Sequence, residues 1–276
     1  MCLIAAVPQF ALADVPEFID DFDGAGLDPA WVTWDGYAVA EPADTVNHTT
    51  FSVASSKLTF GIPGGVGHNQ WWLEHSQVTR PYEGSGVYEI KMDSLFEEGH
   101  QFGIVFESSP GTFVMCMLYS SYYIWGYIEQ FTFRGGSQYR STFPAGGYTN
   151  LDVVPQAGPF YIRVTLRDDP DPSLRNWKFE WSTDDSAWHA IFDGVVESSD
   201  PTANIGAIQR VGVFAGNHSP DFTALDARLD YYETYPEPAS EVPAVGPSGE
   251  SLLTLLLLGT AATRLIRKRP KGAGRG

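Results

Sequence analysis

Cysteine is scarce in this chain: only two of its 276 residues are cysteines. Cys2 lies in an apolar N-terminal stretch, and Cys116 lies in the apolar run FVMCMLY, where we expect a small core residue. If the N-terminal stretch is removed on export, no intrachain disulfide can form. A hydrophobic core therefore has to stabilise the fold.

Basic residues are also few, with 17 Lys and Arg against 34 Asp and Glu. All of the acidic residues precede Arg264, whereas six of the basic ones lie at or after it. Residues 1–263 thus hold 11 basic and 34 acidic side chains, a formal charge of −23. Such a surface excludes nucleic acid and anionic lipid as partners of the main body. It suits solubility or the binding of divalent cations.

Long helical periodicity and internal repeats are absent from the body of the sequence. Apolar or alternating runs recur instead between turns rich in Gly, Pro, Asp and Ser, which predicts strands. We therefore predict an all-β fold, a two-sheet antiparallel β-sandwich. Strands are expected at residues 18–23, 51–62, 70–78, 86–93, 101–107, 112–119, 122–133, 159–167, 176–182, 187–192, 209–215 and 223–235.

The C-terminal segment differs from the rest of the chain. A stretch with Val242, Pro243, Gly246 and Pro247 is followed by an apolar run, 252–263, and then by a basic cluster. A Leu-rich run that ends in Lys and Arg inserts in a bilayer with its basic end in the cytoplasm. The pattern predicts a single transmembrane helix, with the preceding domain exported. The run is shorter than the roughly 20 residues of a spanning helix, which favours a cleavable segment.

This order of motif, apolar run and basic end resembles the C-terminal sorting signals of Gram-negative bacteria, of the PEP-CTERM and IPTL-CTERM type. The resemblance implies processing by an exosortase-type enzyme and delivery to the cell surface or extracellular matrix. The motif reads VPAVGP rather than VPEP or IPTL. The sorting enzyme therefore stays open, and an ordinary membrane anchor is the alternative.

The N-terminus supports export. Residues 1–13 are apolar and end in Ala11-Leu12-Ala13, a small-x-small pattern typical of a signal peptidase site, although no basic segment precedes them. A first β-strand is the alternative. We divide the chain into a signal peptide at 1–13, a sandwich domain at 14–235, a linker with the sorting motif at 236–250, and a transmembrane segment with a basic tail at 251–276.

Several segments of the body follow one another in a family-like order. They are the opening FIDDFDGAGLDPAWVTWDG, the central QFGIVFESSPGTFVMCMLY, the hairpin FYIRVTLRDDPDPSLRNWKFEWSTDDSAWHAI, and the closing pair VGVFAGN and ALDARLDYYETY. Together they resemble concanavalin A-like lectin/glucanase domains, in particular the DUF1349-like and laminin-G-like branches. The resemblance covers most of residues 18–235 and implies a concanavalin A-like jelly roll.

Catalytic motifs of that fold are missing. Family-16-type glucanases carry Glu-x-Asp-x-x-Glu on one strand, and retaining chemistry needs two carboxylates about 5 Å apart. The chain has only adjacent acidic pairs, which would point to opposite faces of a strand. We therefore predict no catalytic residue. A divergent glycoside hydrolase or polysaccharide lyase is the alternative, and it would require two carboxylates or a Tyr/His/Arg cluster in one cleft.

The strand expected at 122–133 has one strongly aromatic face. Sugar rings stack their C–H faces on Trp and Tyr, while carboxylates take the hydroxyls, so this face suits a polysaccharide. The alternative is that the face packs the core, although Ile124 and Ile128 on the other face can serve that purpose. The predicted contact residues here are Tyr123, Trp125, Tyr127 and Glu129.

Trp71 and Trp72 follow the Gly-rich stretch GIPGGVGHNQ. Because neighbouring strand residues face opposite ways, we expect one to face the core and the other the ligand. We include both in the predicted glycan-binding surface. A structural surface protein without a small ligand is the main rival, and it predicts an aromatic face that is fully buried.

Acidic residues on the first and last expected strands suggest a calcium site. In related glucanases a structural calcium joins those strands through an Asp of the last one, and Asp230 matches that position. Asp21 lies on the partner end. Calcium prefers carboxylate and carbonyl oxygens, so the resemblance implies a structural Ca²⁺ at Asp21 and Asp230.

Overall fold

The computed structural model describes residues 17–68, 74–134, 137–143, 148–153, 158–169, 171, 174–196, 205–218 and 224–236. The chain separates into two units, Met1–Glu237 and Pro238–Gly276. The predicted signal peptide, sorting motif (Val242, Pro243, Gly246, Pro247) and transmembrane segment lie outside the described residues, as do Trp71 and Trp72. Within the described ranges, no helix has both the length and the apolarity needed to cross a membrane.

The described part is almost entirely β-structure. It contains one short α-helix, α1 (Gly36–Ala40), and one 3-10 helix, Thr45–Asn47. The strands are β1 (Phe18–Asp20), β2 (Val32–Asp35), β3 (Thr50–Val53), β4 (Leu58–Ile62), β5 (Ser76–Pro81), β6 (Gly86–Met92), β7 (His100–Ser109), β8 (Thr112–Ser120), β9 (Ile124–Arg134), β10 (Ser137–Phe143), β11 (Thr149–Asn150), β12 (Phe160–Arg167), β13 (Asn176–Ser182), β14 (His189–Val195), β15 (Arg210–Asn217) and β16 (Leu225–Pro236).

The strands form two antiparallel sheets of eight strands each. The first sheet runs β14-β13-β12-β6-β16-β4-β3, with β1 also paired to β16. The second sheet runs β10-β9-β8-β7-β15-β5-β2, with β11 also paired to β9. The prediction of an all-β, two-sheet antiparallel sandwich is confirmed.

The main core lies between the two sheets and is filled by alternate residues of their strands. Ile162 and Val164 of β12 face Ile104 and Phe106 of β7 across this layer, and all four are fully buried. Cys116 is also in this core, as the apolar run around it predicts. Burial of apolar surface at roughly 25 cal/mol per Å² is the main stabilising contribution.

Some strand boundaries differ from those expected, for identifiable reasons. The expected strand at 51–62 is a hairpin of β3 and β4. Its turn places Ser55 and Ser56 at φ of 54° and 56°, a left-handed conformation that two serines do not signal. The edge strands β2, β10 and β11 were not predicted either: β2 and β11 are short, and β10 (SQYRSTF) is mostly polar.

The second sheet is strongly curved. His75, which directly precedes β5, has its ring centroid 5.1 Å from that of Phe113 on β8, although β15 and β7 lie between these strands. Three strand spacings amount to about 14 Å in a flat sheet. Glycines on this outer face permit the curvature, because a Cβ on Gly103 would lie 2.9 Å from Met117 Cα and one on Gly212 would lie 2.7 Å from Thr79 Cα.

We expect Gly103→Ala to lower the free energy of unfolding by about 3 kcal/mol, because the added methyl meets the backbone of β8 rather than a movable side chain. Gly26→Ala is the matched control, since a Cβ there has no heavy atom within 4 Å. Urea unfolding of both variants measures the difference. Equal stability of the two would contradict the tight approach of β7 and β8.

Candidate functional site

The outer face of the second sheet carries most of the predicted contact residues. Ile124 and Ile128 of β9 point into the main core. Tyr127 and Phe131 belong to a second hydrophobic cluster on the opposite side of the sheet, together with Phe113 of β8. The alternation of β9 thus separates its two faces, and the aromatic face is the outer one.

The centre of this outer face is filled by the protein's own side chains. Phe113, Phe131 and Phe214 each expose at most 1% of their surface, and Tyr127 exposes 1%. Phe113 and Phe131 lie 5.0 Å apart between ring centroids. The curvature brings these rings together, so Tyr127 has no face open to a sugar ring in this structure.

Glu129 is fully buried on the same face and has fixed partners. Arg140 of β10 donates to its Oε1 from Nε at 2.7 Å and also from its terminal nitrogen, and Thr142 Oγ1 lies 3.3 Å from the same oxygen. Removing one member of a buried ion pair leaves an uncompensated charge, which is strongly destabilising. The position of Glu129 is therefore that of a structural group linking β9 to β10.

One end of the face stays open and is lined by aromatic side chains. We call this group the aromatic rim: Tyr119, Tyr122, Tyr123, Trp125 and Tyr148. Tyr122 and Tyr148 expose 78% and 44% of their surface, and the other three rings are half-buried. Two of the predicted contact residues, Tyr123 and Trp125, thus lie in the open part of the face.

The rings of the aromatic rim are held in defined orientations. Trp125 Nε1 donates to Ser121 Oγ at 3.0 Å, and the Trp125 and Tyr148 ring centroids lie 6.4 Å apart. Tyr148 also packs edge-on against Tyr127 at 4.5 Å. A ring already fixed by neighbours loses little conformational entropy when a ligand stacks on it.

A Tyr/His/Arg group adjoins the aromatic rim. The Tyr119 and His218 ring centroids lie 5.4 Å apart. Burial, followed by the nearby Arg140 charge, lowers the pKa of His218 and so favours a neutral imidazole at pH 7. Burial, followed by the charges of Glu98 and Tyr148, raises the pKa of Tyr119. This group was missed because its members come from strands far apart in sequence.

Two carboxylates lie on the outer face, and each has a polar partner. Glu107 on β7 lies in register with Phe113, and Glu129 lies in register with Met115, so β8 runs between the two acids. Gln77 Nε2 donates to Glu107 Oε2 at 3.4 Å, as Arg140 Nε does to Glu129 Oε1 at 2.7 Å. Burial raises the pKa of Glu107 and opposes its ionisation. Both acids therefore link strands of the sheet on this face.

Asp230 lies among cations rather than oxygen ligands. Lys57 Nζ donates to its Oδ1 at 3.0 Å and Lys91 Nζ donates to its Oδ2. Burial disfavours the charge, but these lysines outweigh it and hold the pKa of Asp230 below its usual value. Among the residues that the structure describes, no cluster of His, Cys, Asp and Glu could hold a metal ion. Asp230 thus has two cationic partners in this structure, and calcium at Asp21 and Asp230 stays a prediction.

A buried polar network near the start of β5 was not predicted. Asp35 caps α1 by accepting from Tyr37 N at 3.1 Å and accepts from Thr49 N at 2.6 Å. Thr49 Oγ1 contacts Ser76 Oγ at 2.7 Å and His68 Nδ1 at 3.3 Å. These bonds join α1, β3 and β5, so the network stabilises one end of the sandwich. The one sequence feature that indicates this network is an Asp directly before a helix.

Comparison with known proteins agrees with this architecture. No family model matches the sequence, and no curated protein is detectably similar to it. Similar solved structures are the GH43 protein BlXynB from Bacillus licheniformis (17% identity, TM-score 0.51, 79% of this chain and 39% of that one) and a xylan beta-1,4-xylosidase from Bacillus halodurans (16%, 0.51, 84% and 41%). A bifunctional GH43-CE protein from Bacteroides eggerthii is also similar (15%, 0.51, 80% and 26%).

These similarities show the fold, a sandwich of two antiparallel sheets consistent with a concanavalin A-like domain. This chain spans about two fifths or less of each of those proteins. Their activities therefore say nothing by themselves about this chain.

The buried His75 makes the stability of the sandwich depend on pH. Complete burial lowers its pKa to about 3. The unfolded chain takes up a proton near pH 6.5 and the folded chain does not, so the stabilisation present above pH 6.5 is lost as the pH falls toward 3. We expect the parent to lose roughly 3–5 kcal/mol more than His75→Gln over this range. Parallel curves of unfolding free energy against pH for the two proteins would contradict this.

Proposed function

We propose that this chain is an exported, non-catalytic carbohydrate-binding sandwich that contacts polysaccharide through its aromatic rim. Trp125 and Tyr123 are the central contact residues. The single observation that carries the proposal is the group of half-open, pre-oriented rings at one end of an otherwise filled face. The C-terminal sequence pattern supports delivery to the cell surface or matrix, with a membrane segment and an exosortase-type enzyme as partners.

Physical chemistry supports a sugar as the ligand of the rim. Ligand sites combine apolar and aromatic side chains with a few convergent polar groups. At the rim, Trp125 and Tyr148 offer ring faces, while Tyr119 and His218 add a hydroxyl and an imidazole beside them. Proteins described as glycoside hydrolases have similar folds, which is consistent with a carbohydrate ligand. The proposal does not depend on this similarity.

We expect the full-length chain to bind at least one of xylan, β-1,3-glucan and mannan, and Trp125→Ala to weaken that binding about tenfold or more, because the largest stacking ring is removed. Tyr139→Ala is the matched control, since Tyr139 is an exposed ring on β10 away from the rim. Affinity electrophoresis and thermal unfolding of each variant are measured. Equal affinity for the two variants, both folded, would refute a role for the rim.

The Tyr119–His218–Arg140 group favours a second candidate, a polysaccharide lyase. A neutral imidazole can accept the proton next to a uronate carboxyl, and a neutral phenol can donate one to the leaving oxygen. The Arg140 charge acts on His218, although its guanidinium is bonded to Glu129. The strongly acidic body opposes the approach of a polyanionic substrate, so this candidate stands second.

Incubation with alginate and with pectate separates the two candidates. If the rim only binds, the ultraviolet absorbance of a new carbon–carbon double bond does not rise above that of the polymer alone. The lyase would replace the binding proposal if the absorbance does rise, and if the rate of that rise is about a hundredfold or more lower in Tyr119→Phe but unchanged in the exposed control Tyr139→Phe.

A further inference from the structure

The outer face of the first sheet carries an unexpected row of rings. Tyr161 of β12, Lys91 of β6 and Tyr231 of β16 lie side by side in one row of the sheet. Tyr235 lies further along β16, and Trp188 leads into β14. We call Tyr161, Trp188, Tyr231 and Tyr235 the four-ring surface.

The packing of the sandwich does not account for these rings. None of the four belongs to either hydrophobic cluster of the described residues, and each is half-buried. Aromatic rings that cluster on an outer face, as Tyr161 and Tyr231 do on either side of Lys91, are typical of interaction surfaces.

The polar groups among the rings are fixed by one another. Arg163 donates to Glu89 Oε2 from two nitrogens at 2.9 and 2.7 Å, and Tyr231 Oη donates to Glu89 Oε1 at 2.8 Å. The Arg163 guanidinium also lies 3.8 Å from the centroid of the Trp188 ring. Lys91 is held by Asp230 and lies 5.9 Å from the centroid of Tyr161.

The charges of this face indicate what kind of polymer would fit it. Lys91 and Arg163 are paired with Asp230 and Glu89, so the face offers ordered donors and acceptors. Glu233 and Asp185 add negative charge beside the rings. The rest of the body is strongly acidic and repels polyanions. Flat rings and pre-ordered hydrogen-bonding groups suit a neutral chain of sugar rings, whose C–H faces stack and whose hydroxyls both donate and accept.

We propose that the four-ring surface is a second binding face for neutral polysaccharide, on the opposite side of the sandwich from the aromatic rim. This inference rests on the proposed function for its ligand class, but on separate residues. With two faces on one body, a single chain binds two polysaccharide strands at once and links them. One long polysaccharide strand can then bind at both faces, or many copies of the protein can bind several strands. Either arrangement raises the avidity without new contacts.

Titration calorimetry of the full-length chain with short oligosaccharides of xylan and of β-1,3-glucan tests the second face. We expect two sites per chain in the parent, and one site in Tyr161→Ala. Tyr161 is chosen because it is half-buried and outside both hydrophobic clusters, so its truncation leaves the core intact. Trp188→Ala provides a second variant, Tyr139→Ala is the control, and thermal unfolding shows that each protein is folded.

The outcomes separate the two proposals. Loss of one site in Tyr161→Ala or Trp188→Ala, with the rim site intact, supports the second face. A single site in the parent that is lost in Trp125→Ala overturns the second face and leaves the rim standing. A single site that is lost in Tyr161→Ala but kept in Trp125→Ala supports the face on the first sheet and overturns the rim. No binding of either oligosaccharide overturns the second face, while the rim proposal is then decided by the polymer binding of the parent and of Trp125→Ala described above.

Discussion

The curvature of the second sheet is the constraint on which the remaining features depend. Side chains at Gly103 and Gly212 would collide with the neighbouring backbone, so these positions let β7 and β15 approach their neighbours closely on the outer face. The curved sheet then brings His75 against Phe113 from strands that a flat sheet would hold well apart. A face that would otherwise be an open groove becomes a second core, because aromatic rings from opposite strands meet across it.

This filling decides which predicted residues stay accessible. In a shallow sheet, the alternation of β9 would expose Tyr123, Trp125, Tyr127 and Glu129 as one continuous row. In the curved sheet the row is divided: Tyr127 and Glu129 are buried in the filled centre, whereas Tyr123 and Trp125 lie where the strand emerges at the open end. The aromatic rim is therefore accessible because it lies beyond the part of the curved sheet that is filled with side chains.

Local patterns in the sequence were sufficient for the architecture and not for the site. Alternation in β12 predicts a half-buried strand, and the structure has it, whereas the apolar runs of β7 and β8 correspond to strands that are buried on both faces. The Tyr119–His218–Arg140 group was beyond reach, because its members come from the ends of β8 and β15 and from β10, which only the sheet order brings together. The left-handed serines of the β3–β4 turn likewise give no sequence signal: the two-residue hairpin, closed by hydrogen bonds between Ala54 and Lys57, requires positive φ at both, where Asn-Gly would be typical.

The distribution of charge bears on how the two faces divide their roles. On the first sheet, Lys57, Lys91 and Arg163 are each bonded to an acidic partner. Lys57 and Lys91 share Asp230 in a partly exposed group, and exposed pairs typically contribute below about 1 kcal/mol each. Glu89 is buried, so its pair with Arg163 compensates a buried charge. Both groups hold hydrogen-bonding side chains in fixed positions beside aromatic rings, and side chains that are already ordered lose little entropy when a ligand binds.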